Sequence, residues 1–81
     1  MADPSPLVEL DLRGTPCPLN FIRTKLALER LAAGQTLQVL LDRGEPEQMV
    51  HDGIAAAGHA VSLVPHDGDP AAVMLVITPH G

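Results

Sequence analysis

The chain has 81 residues, 46% of them apolar and 19% charged, with a formal net charge of −5. That length supports one hydrophobic core, and the apolar content is that of a globular fold rather than a disordered one. The acidic balance and the single aromatic residue, Phe21, exclude the basic and aromatic footprint that nucleic-acid binders use.

Residues 1–6 contain two prolines and little that can pack, so they are expected to form a flexible tail to a single domain over 7–81. They show no basic segment followed by an apolar run, and no stretch of the chain approaches the roughly 20 apolar residues of a membrane span. The expected location is the cytoplasm. Val8-Glu9-Leu10-Asp11-Leu12 alternates apolar and acidic residues, which predicts a strand with Val8, Leu10 and Leu12 on its buried face. Arg13-Gly14-Thr15-Pro16 breaks that pattern.

A helix is predicted from Pro18 to Leu31, with Pro18 at its first position, where a missing N–H costs nothing, and Cys17 at the N-cap. Its apolar residues fall into two stripes. One holds Phe21, Leu28 and Leu31 with Thr24 between them; the other holds Leu19, Ile22 and Leu26. A helix lying on a sheet needs one stripe, so the second faces a neighbouring helix or a partner. Ala33-Gly34 is read as the helix stop.

Thr36–Leu41 reads as a second strand with Leu37, Val39 and Leu41 inward. Pro46 opens a second helix to about Ala57, with Met49, Val50, Ile54 and Ala57 on one face and Gly58 as its stop. Ala60–Val64 makes a third strand, and His66–Pro70 has turn chemistry throughout. Ala72–Thr78 is a continuous apolar run, as expected of a strand covered on both faces or central in a sheet. The predicted order is βαβαββ: a two-layer α/β (α+β) sandwich with a mixed four-stranded sheet and both helices on one face. The other face would carry Glu9, Asp11, Gln38, Leu40, Met74 and Val76.

Chemistry concentrates at Cys17. It is the only cysteine, so neither an internal disulfide nor a Cys-x-x-Cys dithiol cycle is available. It falls on the carboxyl side of the first strand, where open α/β sheets place their sites. A helix N-terminus stabilises a nearby anion by roughly 0.3–1 kcal/mol, which lowers a thiol pKa by less than one unit. Arg13, Arg23 and Lys25 lie in the acid-free stretch between Leu12 and Leu28, and either add to that effect or form a solvated basic face. Asp42 at the end of the adjacent strand would oppose it, and Arg43 would help. Pro16 and Pro18 restrict the backbone on both sides of the sulfur. The four histidines lack metal-ligand spacing, and no phosphate-binding glycine motif follows Gly14, so no metal or cofactor is expected.

The run Leu10-Asp11-Leu12-Arg13-Gly14-Thr15-Pro16-Cys17-Pro18, leading into a helix with Lys25 and Leu28, resembles the TusA-like (SirA-like) sulfur-carrier family. The signature of that family is Asp-x-x-Gly-x-x-Cys-Pro-x-Pro, and the resemblance extends over residues 8–78. It implies a sulfurtransferase-type persulfide relay. Cys17 would accept a sulfane sulfur from a cysteine desulfurase or rhodanese-type donor and pass it to an acceptor protein, in tRNA thiolation, molybdenum-cofactor-related or sulfur-oxidation pathways. Pro18 would start the supporting helix, Asp11 and Gly14 would shape the preceding turn, and Arg13 would support the site. Asn20 stands where the motif has its second proline, and its N–H is expected to bond toward the cap or toward a sulfur anion. Leu19 and Ile22, with Arg23 and Lys25, are expected to form a docking rim. No direct nucleic-acid or membrane contact is implied. The alternative is a non-catalytic interaction or regulatory module in which Cys17 is structural or redox-sensing.

Overall fold

The computed structural model describes residues 7–16 and 18–79; the expected tail at 1–6 and Cys17 itself lie outside the described residues. Four strands and two helices follow in the expected order: β1 (Leu7–Asp11), α1 (Leu19–Glu29), β2 (Thr36–Asp42), α2 (Glu45–Ala56), β3 (Ala60–Pro65) and β4 (Ala72–Thr78).

The sheet order is β1-β2-β4-β3. β1 and β2 are parallel, with α1 as their crossover, whereas β4 runs antiparallel to both β2 and β3. The apolar run of β4 thus lies at the centre of the sheet, between two strands. Period-two alternation places Leu37, Val39 and Leu41 of β2 beside Val73, Leu75 and Ile77 of β4 on one face, all effectively without solvent contact. Val50 and Ile54 of α2 close over them, and Leu12 fills the end beside β1. Val8 and Leu10 are only half-buried, because β1 is an edge strand and no further strand among the described residues pairs with its outer side. On the reverse face Asp11, Leu40, Met74 and Val64 share one row, and Glu9, Gln38, Val76 and Ser62 share the next.

Three local expectations need correction. Met49 was expected on the buried face of α2 and is 55% exposed, because the buried line runs through Val50 and Ile54 and the preceding residue lies about 100° round the helix. Ala57 is exposed at the C-cap. α1 ends at Glu29 rather than Leu31: the N–H groups of Arg30 and Leu31 bond to carbonyls three residues back, Ala27 and Leu28, which tightens and closes the last turn. Gly34, with φ +85°, instead serves a separate turn closed by the Gln35 N–H to the Ala32 carbonyl.

α2 has both terminal signals. The Glu47 carboxylate accepts the Gly44 N–H at 2.9 Å at its start. At its end Gly58, with φ +96°, lets its own N–H reach the Ala55 carbonyl and the His59 N–H reach Ile54, a Schellman pair.

Candidate functional site

The site is built from the connection between β1 and α1. Leu12 is buried and its N–H donates to the Leu40 carbonyl at 2.9 Å, so the chain stays bound to β2 one residue past the strand. The Thr15 N–H returns to the Leu12 carbonyl at 3.0 Å, closing a tight turn in which Gly14 takes φ +78°. That conformation is costly for residues with a Cβ, which explains glycine here. From the end of β2, the Asp42 carboxylate accepts the Gly14 N–H at 2.8 Å and ties the turn to the sheet. Asp42 was expected near the site as an opposing charge; its contact is this anchor.

Arg13 is a neutralised charge rather than a free one. Its guanidinium donates to both carboxylate oxygens of Asp11, at 3.0 and 2.7 Å, and to Asp69 at 3.4 Å. The Arg13 backbone N–H also donates to Asp11, at 3.1 Å. The Arg13 side-chain bonds, then its backbone bond, hold the Asp11 carboxyl down at about 2; the charges of Arg13 and His66 contribute in the same direction. The pairing with Asp11 in turn holds the guanidinium protonated. Arg43 turns away to donate to the Pro70 carbonyl at 2.8 Å. Arg13 and Arg43 thereby fasten the β3–β4 turn to the end of the sheet that carries the site. Asp69 and Pro70 were legible only as turn residues; contacts 56 and 27 residues apart leave no local signal.

The helix start differs by one residue from expectation. Pro18 is the N-cap, with φ −93° and ψ 12°, and Leu19 is the first helical residue. Cys17 therefore directly precedes the cap in sequence. The Asn20 N–H, expected to face the cap or a sulfur anion, donates to the Pro16 carbonyl at 3.2 Å, and the Asn20 side-chain oxygen accepts the Phe21 N–H at 2.7 Å. Asn20 is wholly buried, as is Thr24 one turn on, whose hydroxyl donates to the Asn20 carbonyl at 2.8 Å. Among the described residues, the Leu19 N–H is the first-turn donor left without a hydrogen bond.

The second stripe of α1 faces solvent. Leu19, Ile22 and Leu26 are each about half exposed, at 49%, 48% and 49%. Lys25 stands over the Phe21 ring, 5.8 Å from its centroid, at cation–π distance. Arg23 lies on the other flank of the stripe, facing a groove beside β1. Among the described residues no cluster of three or more potential ligands could hold a metal ion, and no helix is long and apolar enough to cross a membrane.

A family model described as "Sulfurtransferase TusA" matches residues 8–77. The chain belongs to the TusA sulfurtransferase family. An Archaeoglobus fulgidus protein described as a "putative sulfur carrier protein" is 38% identical over 60 residues, which is 74% of this chain and 68% of that protein. A Halobacterium salinarum protein described in the same words is 39% identical over 56 residues, 68% of this chain and 67% of that one. The crystal structure of a SirA-like protein from Desulfitobacterium hafniense superposes with a TM-score of 0.73 at 24% identity, covering 86% of this chain and 93% of that one, and shares the fold. Asn20 stands where the resemblance drawn from the sequence expects a second motif proline. A proline there would lose the hydrogen bond to Pro16, and Asn20 also satisfies the Phe21 N–H.

Proposed function

We propose that this chain carries sulfur as a persulfide on Cys17. The observation that supports the reading most directly is membership of the TusA family in a chain with a single cysteine, next to the motif proline. The Cys17 thiolate attacks the outer sulfur of a persulfide on a donor protein of the cysteine desulfurase or rhodanese type. The donor's S–S bond breaks, its cysteine leaves as a thiolate, and Cys17 bears the S–S⁻ group. In delivery, an acceptor thiolate attacks the terminal sulfur and Cys17 departs as the thiolate. Each step exchanges one S–S bond for another and needs no external oxidant. A reducing compartment such as the cytoplasm keeps the resting thiol available.

Pro18 and Asn20 support the helix start, and the Leu19 N–H is the proposed donor to the sulfur anion, helped by the positive end of α1. Asp11, Arg13 and Gly14 hold the approach loop in shape. Leu19 and Ile22, exposed one turn apart, with Arg23 and Lys25 beside them, form the rim on which donor and acceptor dock and exclude water from the transferring sulfur.

The test is intact mass under non-reducing conditions after incubation with a cysteine desulfurase and cysteine, or a rhodanese and thiosulfate. The native chain is expected to gain the mass of one sulfur atom, discharged by a thiol, and Cys17→Ser none. A native chain that stays unloaded with both donors would sink the proposal.

A further inference from the structure

Among the described residues β1 forms one edge of the sheet, and beside it the structure carries a groove that meets the proposed docking rim only at Arg23. The cavity, about 290 Å³, has Val8, Leu10 and Leu31 on its floor and Leu26, Arg23 and Arg30 on its wall. Three observations bear on what fits it. The lining contains no acidic side chain although the whole chain is acidic, and among the described residues neither Arg23 nor Arg30 has an ion pair, in contrast to Arg13. The floor is apolar and half-buried. The third observation is the edge itself: the Leu12 N–H bonds to Leu40 of β2, so the even-numbered residues of this segment turn their backbone groups inward. Alternation then points the N–H and C=O of Glu9 outward, to the open side.

We infer that this edge and groove bind an extended acidic peptide of a partner protein, added as a fifth strand beside β1. The outward backbone groups of Glu9 pair with the peptide main chain, while alternate peptide side chains enter the groove under α1. The two arginines are seven residues apart, about 10.5 Å along the helix. Side chains four residues apart on a strand are about 13 Å apart, a difference that arginine stems span. The preferred peptide therefore carries carboxylates at two groove-facing positions with one apolar residue between them. The reading stands whether or not Cys17 carries sulfur.

The probe is a fluorescein-labelled peptide, Thr-Glu-Thr-Leu-Thr-Glu-Thr, titrated with the full chain by anisotropy, with amide NMR shifts as the map. Binding tighter than about 1 mM is expected, with shifts centred on Glu9–Asp11 and residues 23–31. Lysine in place of both glutamates in the peptide, or Arg23→Glu with Arg30→Glu in the protein, should weaken it by about tenfold or more. Glu9→Pro should abolish binding, since it removes an outward N–H and no bond to β2. A peptide N-methylated at alternate amides gives the same test on the native chain, should that variant unfold. Equal affinity for the acidic and basic peptides, indifference to N-methylation, shifts elsewhere, or no binding at several millimolar would each overturn the inference. So would sedimentation showing a second copy of this chain on the same edge, broken by the arginine substitutions.

Discussion

Asp11 is where sequence and structure give one residue two meanings. In the sequence it is the acid that opens the family signature and the polar beat of an alternating strand. In the structure its carboxylate organises the first turn of the approach loop through three bonds from Arg13. Its folded pKa, about 2, lies below the value near 3.9 of an unfolded chain. The sign follows: the contribution to stability is fully present above about pH 4 and disappears as pH falls through about 2. Asp11→Asn should therefore be less stable than the native chain at pH 6, and the gap between them should narrow below about pH 4 and close only below about pH 2. Urea midpoints at a series of pH values measure it; a gap independent of pH would mean that Asp11 is not held by Arg13. The acid was legible in the sequence. The second partner of Arg13 was not, because Asp69 comes from the far turn and only the closed sheet brings the two together.

The elements themselves were largely legible, and the failures lie where tertiary packing overrides local pattern. β4 has the limits that its apolar run predicts. The two stripes of α1 divide as their spacing implies, one inward and one to solvent, although the centre of the inward face is Asn20 and Thr24 rather than apolar residues. A glycine inside α2 had no evident purpose in sequence. The structure supplies one: a Cβ on Gly53 would lie 2.9 Å from Cε2 and Cζ of Phe21, so α2 approaches α1 through the missing side chain. At an open helical site Gly→Ala stabilises by about 0.5–1 kcal/mol. Here the ring must move, and overpacking of this kind costs about 1–3 kcal/mol. Gly53→Ala should be destabilising by about 1 kcal/mol net, and adding Phe21→Leu should recover part of that loss. The coupling in the double-mutant cycle is the decisive quantity. Simple additivity would place the two residues out of contact.

At the scale of the molecule, the order β1-β2-β4-β3 was not legible, because an apolar run announces a central strand without naming its neighbours. That order has a mechanical consequence. β2 and β4 each have a strand on both sides and bury three large side chains under the helices, whereas β1 and β3 each have one strand neighbour among the described residues. The edges also differ: β1 carries Glu9 and Asp11, but Ala60–Pro65 has no charge and leaves Leu63 52% exposed. Amide exchange should divide accordingly. The amides of Val39, Leu41, Leu75 and Ile77 should exchange only through global unfolding, and those of β3 should exchange through smaller openings, at least about tenfold faster. β1 should lie between, because its inward bonds to β2 are held at the lower end by the Asp42–Gly14 anchor. If β3 amides outlast those of β2, the strand order is wrong, and with it the account of which end of the sheet presents the loop. If β1 exchanges with β3 as the least protected pair, the loop anchors do not stiffen the strand that leads into Cys17.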